Sequence, residues 1–370
     1  MEKMIIAFIG QRGIPPTYGG VEKHVGEMAT RLAAKGHEVR VYCRSRYTNV
    51  SGGYKGITVV RLPAINQKHL EMISHTLFSV IHLLLSGKRI DIIHVQSVDP
   101  AIFIPLAKIR AKVVATSHGR AYLQSGKWGK LANTFSKTAE KVFMHFSDRR
   151  ITISKTLKDY YESKYHREVA YVPNGADSPA INDSQEIEKL NLRKDGYILY
   201  VGRLVPNKGC HLLIDAYKST KTNKKLVIVG GSSYSSEYIK KLKQSARGND
   251  NIRFLDYQYG RVLQELFANC SLFVFPSKVE GMPLTLLEAM SFARLIVFSD
   301  IPANTEVADG VGIPFRCGDI DDLSQKLKYA LENVSFCYEF GEKARERVKR
   351  EYNWDKIVSE TEEIYYSLRT

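Results

Sequence analysis

No apolar run in this 370-residue chain approaches the roughly 18 residues that a membrane span requires, so a spanning protein is not expected. The opening MEKMIIAFIG reads as a short strand entering a glycine turn, without the apolar core and cleavage site of a secretory leader. The five cysteines (Cys43, Cys210, Cys270, Cys317, Cys337) are scattered and form no CxxC, which argues against a disulfide scaffold or a structural zinc site and suits a reducing cytoplasm. Neither GxxxxGK[ST] nor GxGxxG occurs, so phosphate-loop NTPase and dinucleotide-binding readings are weak. There is no compact Lys/Arg run and no RNP, KH, zinc-finger or helix-turn-helix signature, which leaves nucleic-acid binding with charge alone to support it.

What is present is globular: 44% hydrophobic and 25% charged residues, in a length that favours two domains, each with its own core. The formal charge of +15 is lopsided. Residues 1–175 hold 27 Lys and Arg against 12 Asp and Glu, whereas residues 176–370 hold 27 of each. A single-sign field confined to one half speaks of a partner: nucleic acid, an anionic membrane surface, or an acidic or pyrophosphate-bearing acceptor.

Short apolar runs alternate with helical patterns. MIIAFI (4–9), EVRVY (38–42), ITVVRL (57–62), DIIHV (91–95), KVVATS (112–117), RITIS (150–154) and EVAYV (168–172) read as buried strands. Helices are expected at 21–35, closed by Gly36, and at 128–147. After the turn-rich PNGADSPAINDS the alternation restarts with YILYV (197–201), KLVIV (225–229), IRFL (252–255), SLFVF (271–275) and RLIVF (294–298). Two such sets imply two doubly wound α/β domains, 1–176 and 177–352, with ligands beyond the C-terminal strand ends in the cleft between them. The amphipathic terminal helix, about 353–370, is positioned to pack back on the first domain.

Four stretches stand at strand ends. In GQRGIPPTYGGVEKH (10–24), Gly19 and Gly20 precede a helix, where bare backbone and free N–H groups suit an anion; the plainer reading is a surface turn. In SHGRAY (117–122), His118 is a proton-handling or hydroxyl-orienting candidate with Arg120 beside it, although a lone histidine is more often structural. In VGRLVPNKG (201–209), Arg203 and Lys208 suit a diphosphate, or are a solvated basic loop. In EGMPLTLLE, Glu280 sits on a loop and Glu288 about two helical turns on, with Gly281, Met282, Pro283 and Leu284 forming the helix entry. Carboxylates grip vicinal diols and cations grip phosphates, so the set describes a nucleotide-sugar site, with two ordinary surface glutamates as the plainer alternative.

With these residues in place, the full chain resembles the retaining glycosyltransferases of family four, which have the GT-B fold. The carrying motifs are Glu280-x7-Glu288, GRLVPNKG and PNG at 173–175; RGIPPTYGGVE and KWGKLA (127–132) look more narrowly like a rhamnosyltransferase-like subgroup of bacterial polysaccharide gene sets. The resemblance implies that Arg203 and Lys208 bind the donor diphosphate, Glu280 the donor sugar's hydroxyls and Glu288 the ribose diol. It also implies that His118 lies near the sugar's 6-position and that Gly19 and Gly20 line the cleft, with Tyr18, Glu22 and Arg120 on the acceptor side. One departure stands out: Asp256, in FLDYQYG near the expected base pocket, occupies a place where the family often has glycine.

The resemblance further implies a hexosyl- or deoxyhexosyltransferase that retains configuration and needs no cofactor and no metal. No Asp-x-Asp stands at an expected strand end. Expected partners are a UDP-, GDP- or dTDP-linked sugar, a lipid-linked glycan or polysaccharide acceptor such as O-antigen or capsule, and an anionic membrane surface, but no nucleic acid. The stretch 126–150 interleaves Lys127, Lys130, Lys137 and Lys141 with Trp128, Phe135, Phe143 and Phe146, which fits an interfacial helix on the inner face of the membrane or, alternatively, a core-packed helix with a basic outer face. Lys127, Trp128 and Lys130 are the surface contacts expected. A phosphorylase or epimerase of the same fold is the alternative chemistry, without a visible lysine-anchored pyridoxal site.

Overall fold

The computed structural model describes residues 2–16, 19–67, 70–119, 130–181, 183–231 and 236–369. The chain divides into two compact units, Met1–Asn174 with Trp354–Thr370, and Gly175–Asn353.

In the first unit, β1 (Ile5–Ile9), β2 (Glu38–Arg44), β3 (Gly52–Tyr54), β4 (Ile57–Leu62), β5 (Ile92–Gln96), β6 (Lys112–Ser117), β7 (Arg149–Thr152) and β8 (Ala170–Tyr171) form one sheet in the order β3-β4-β2-β1-β5-β6-β7-β8. All neighbours pair in parallel except β3, which folds back on β4. The apolar runs are the inner strands, Ile6, Phe8, Val41, Ile93 and Val114 among them being fully buried. Parallel pairing requires crossovers, supplied by α1 (Gly20–Ala34), α2 (Leu70–Leu85), α3 (Ile104–Ala107), α4 (Lys130–Phe146) and α5 (Lys155–Tyr165). The end of α1 shows why the sequence stops there. Gly36, at φ +96°, donates to the Ala33 carbonyl and His37 to the Leu32 carbonyl, closing the last turn in a Schellman motif. At the start of α5 the Ser154 hydroxyl accepts the Leu157 N–H.

The C-terminal helix, Trp354–Tyr366, belongs to this unit. Glu362 accepts from His37 Nε2 at 2.7 Å and pairs with Lys35, while the Tyr365 hydroxyl lies 2.6 Å from His94 Nδ1.

The second unit holds β9 (Tyr197–Val201), β10 (Lys225–Val229), β11 (Ile252–Phe254), β12 (Leu272–Phe275), β13 (Ile296–Ser299) and β14 (Ile313–Phe315), all parallel, ordered β11-β10-β9-β12-β13-β14. Its helices are α6 (Gln185–Lys189), α7 (Cys210–Ser219), α8 (Ser236–Ser245), α9 (Gly260–Asn269), α10 (Leu284–Ser291), α11 (Pro302–Ala308), α12 (Ile320–Glu332) and α13 (Val334–Glu351). Tyr200, Leu213, Ile228, Val274, Val297, Leu323 and Leu327 lie in one continuous core under α7 and α12.

Strand order reverses between β1 and β5 in the first unit and between β9 and β12 in the second. At such switch points successive loops leave toward opposite sides and open a crevice at the C-terminal strand ends. These two pairs of strand ends therefore position the candidate residues.

Candidate active site

The loops after β9 and β12 are locked together. Gly209 begins α7 at φ +70°, and a Cβ there would lie 2.0 Å from the Pro276 carbonyl oxygen, so no other residue fits. Lys278 N–H donates to the Asn207 carbonyl at 2.8 Å. This interlock brings Lys208 Nζ to 2.5 Å from Glu280 Oε1, with side-chain exposures of 16% and 9%. Arg203, on the same loop as Lys208, is exposed, and among the described residues its guanidinium makes no hydrogen bond or ion pair. The strand-end backbones pack equally closely: a Cβ on Gly230 would meet the Gly202 oxygen at 1.9 Å, and Gly230 N–H donates to the Asp256 carbonyl at 2.7 Å. Asp256 adopts φ +48°, the left-handed region that glycine favours and aspartate tolerates, which accounts physically for its replacing the glycine common in the family.

Beyond Glu280 the chain enters α10. Met282, Pro283 and Leu284 are buried, so a ligand meets this turn through backbone N–H groups rather than through those side chains. The Pro283 carbonyl accepts from Leu286 and Leu287, while Glu288, half-buried, lies on the following turn. The structure thus groups Arg203, Lys208, Glu280 and the α10 entry at one switch point, with Gly281 between the glutamate and the helix. Tyr257 and Tyr259, both exposed, lie with rings parallel at 6.1 Å, and Arg203 opposes the upward shift that burial imposes on the Tyr257 hydroxyl. Neither tyrosine was marked by the sequence pattern.

The first unit gathers histidines at the corresponding place. His118, half-buried just after β6, has Nε2 2.8 Å from Gln96 Oε1 at the end of β5. His24 of α1 meets the His118 ring edge-on at 4.8 Å and pairs through Nδ1 with Asn174 Oδ1 at 2.9 Å. His94 bonds Thr116 through Nε2 at 2.7 Å. Burial holds all three neutral, driving His24 down to about 4 and His94 and His118 well below the ordinary histidine value, with His24 and His94 adding repulsion at His118. A neutral His118 whose Nε2 is bonded to the Gln96 carbonyl keeps Nδ1 as an acceptor, suited to orienting a hydroxyl. Gln96 and His24 are functional candidates that motif reading missed. Their only signal was position: polar residues at a strand end and on the first helix.

Gly19 and Gly20 are exposed at the start of α1. Glu22 is buried, with Oε1 accepting the Arg12 N–H at 3.1 Å, so its carboxylate is turned into its own loop. Tyr18, Arg120, Lys127 and Trp128 lie outside the described residues, and Lys130 is placed only as the first residue of α4. Of the aromatics interleaved along 126–150, Phe143 is fully buried and belongs to the core, whereas Phe146 is exposed. Glu140, also buried, accepts from Tyr160, Lys164 and Tyr165, which holds the inner face of α4 to α5.

Comparison with known proteins agrees with both halves. A model described as Glycosyltransferase Family 4 matches residues 18–178, and one described as Glycosyl transferases group 1 matches residues 182–347. The chain is a glycosyltransferase of the GT-B type. An uncharacterised glycosyltransferase of Methanocaldococcus jannaschii is 27% identical over 98% of both chains. O-antigen chain mannosyltransferase C of Escherichia coli is 26% identical over 96% of both. Among solved structures, Anabaena HepE in complex with UDP and glucose superposes with a TM-score of 0.82 at 18% identity, over 98% of this chain and 100% of that one. Relatives of this glycosyltransferase thus act in O-antigen and polysaccharide synthesis. The locked β9 and β12 loops lie in its group 1 half, and the histidine cluster in its family 4 half.

Proposed function

We propose that this glycosyltransferase moves a hexosyl or deoxyhexosyl unit from a nucleoside-diphosphate sugar to a hydroxyl of a lipid-linked or polysaccharide acceptor, with retention and without a metal. The observation that carries the reading is the Lys208–Glu280 pair beside the α10 entry and the exposed Arg203 guanidinium, which makes no ion pair among the described residues. The cations and the helix N-terminus are matched to a diphosphate, and Glu280, held by Lys208, to the hydroxyls of the attached sugar. Glu288 takes the ribose diol. HepE, whose structure holds UDP and glucose, supports a nucleotide-sugar donor for this fold.

In the reaction the acceptor oxygen bonds to the sugar's anomeric carbon as that carbon's bond to the diphosphate oxygen breaks. The acceptor's proton leaves with the nucleoside diphosphate, whose growing negative charge Arg203, Lys208 and the α10 N–H groups stabilise. His118 orients a donor-sugar hydroxyl. The enzyme works at the inner membrane face, where a lipid-linked acceptor is presented. The test is incubation with UDP-, GDP- and dTDP-sugars and lipid-linked glycan, following nucleoside diphosphate release and product anomeric configuration by NMR, with and without EDTA. Acceptor-dependent release with configuration kept, unaffected by EDTA, supports the reading; inversion or loss with EDTA contradicts it.

A further inference from the structure

Helix α2 is turned inside out. Its sequence, LEMISHTLFSVIHLLL, holds one charged residue, Glu71. The residues it buries are Ser74, His75, Thr76, Ser79, Val80 and Leu83, four of them polar. Their hydroxyls are satisfied within the helix: Ser74 donates to the Leu70 carbonyl at 2.7 Å, Thr76 to Met72 at 2.9 Å and Ser79 to His75 at 2.7 Å. The outer face carries the large apolar groups. Phe78, Ile81, His82, Leu85 and Ser86, at helical spacing, line an open hollow of about 420 Å³, and Leu85 is 80% exposed. An ordinary surface helix has the opposite arrangement.

The C-terminal end of the apolar face meets the 108–112 turn, and cations flank it there. Arg110 donates to the carbonyls of Leu83 and Lys88, which sets the 108–112 turn against the end of α2. Ile109 on that turn is 74% exposed. Lys88 and Arg89 follow the C-terminal end of α2, and Lys108, Arg110 and Lys112 lie on the turn that meets it. Asp91 and Asp148 pair with Arg89 and Lys108, while Lys88 and Lys112 are exposed and make no ion pair among the described residues.

We infer that this face of α2, with Ile109 and its cation rim, is the seat on which the protein rests on an anionic lipid surface. An apolar stripe flanked by lysine and arginine is what an interfacial helix presents, the side chains entering the acyl boundary while the cations meet headgroups. A second copy of the chain would set the same cations against this rim, so charge favours lipid over self-association. Among the described residues no helix is long and apolar enough to cross a membrane, so α2 lies on the surface. The seat is built from other residues than Lys127, Trp128 and Lys130, the contacts expected from composition.

Resting on the transfer reading, the seat also constrains the acceptor. Leu85 and Lys112 lie at the N-terminal ends of the strands, whereas Gln96 and His118 lie at the C-terminal ends. A six-residue strand separates these edges by roughly 20 Å. The accepting hydroxyl is therefore carried on an extended glycan rather than on the lipid headgroup.

The test is flotation of the full chain with phosphatidylglycerol-containing and pure phosphatidylcholine vesicles, at low and high salt. Wild type should float with the anionic vesicles only and be released by salt. Leu85→Glu combined with Ile109→Glu should lower the bound fraction at least about tenfold while UDP binding and thermal melting stay unchanged. A Lys88→Glu, Lys112→Glu variant should weaken binding and remove its salt dependence. Equal behaviour with both vesicle types, undiminished binding by the apolar variant, or a wild-type dimer that the apolar variant dissociates would overturn the seat. Failed nucleotide binding by a protein that still floats would count against the transfer reading alone.

Discussion

Lys208 Nζ stands 2.5 Å from Glu280 Oε1, so two residues 72 positions apart share one ion pair where β9 and β12 end. Both side chains are largely withdrawn from water, and removing either leaves the other charge without its partner. Glu280→Gln should keep nucleotide affinity within about threefold of wild type yet lower kcat on the order of 100-fold, since it strips the contact proposed to the reacting sugar. Lys208→Ala should instead weaken nucleotide binding by roughly tenfold or more, having lost a charge-assisted contact. Steady-state kinetics paired with calorimetry separates the two; the reverse pattern would contradict the assignment.

Glu288, half-buried on the second turn of α10, is assigned to the ribose. Glu288→Gln should weaken binding of UDP and of UDP-sugar equally, by about tenfold, because a neutral amide grips a diol less well than a carboxylate does. If it weakened only the sugar-bearing ligand, the ribose role would fall to another residue.

The hydroxyl-orienting role proposed for His118 requires a neutral ring. Burial, reinforced by His24 and His94, holds its pKa well below the ordinary value, so wild-type kcat/KM should show no histidine step between about pH 6 and 8. Gln96→Glu puts a carboxylate on Nε2, favours the imidazolium and raises that pKa. The variant should lose activity as pH falls through the raised value and recover in alkali. A purely structural Gln96 would lower activity at every pH alike.

Acid should unfold the first unit early. His24 and His75, both buried, have pKa values of about 4 against 6.5 unfolded, lowered by burial, with Arg44 adding to the effect at His75. A depressed histidine pKa means the unfolded chain takes up protons first, so stability is full above 6.5 and drains as pH falls toward about 4. Each such histidine costs on the order of 3 kcal/mol by the lower limit. Urea midpoints measured across this range should decline, and His24→Gln should make the decline shallower.

Strands and motifs were legible because their signals are local. KVVATS and KLVIV each pack as one buried run, and Gly36 caps α1 through its own turn. What the sequence concealed depends on residues far apart. Gln96 and His118 meet only because β5 and β6 pair, and the antiparallel β3 (Gly52–Tyr54) is too short and glycine-rich to announce itself. β14 (Ile313–Phe315) escaped for the same brevity. The inverted face of α2 is not written in its residues alone, since which side of a helix faces inward is decided by its neighbours. Tyr257 and Tyr259 stood in a loop whose φ-positive Asp256 only the backbone reveals.

The most direct measurement is calorimetric titration of UDP, GDP and dTDP into the protein and into Arg203→Ala, which removes the exposed guanidinium proposed to take a phosphate. One nucleotide should bind, and the variant should lose at least about tenfold in affinity, the worth of a charge-assisted contact. Binding of none of the three by a folded protein, or binding that Arg203→Ala leaves unchanged, would contradict the donor site proposed at the ends of β9 and β12.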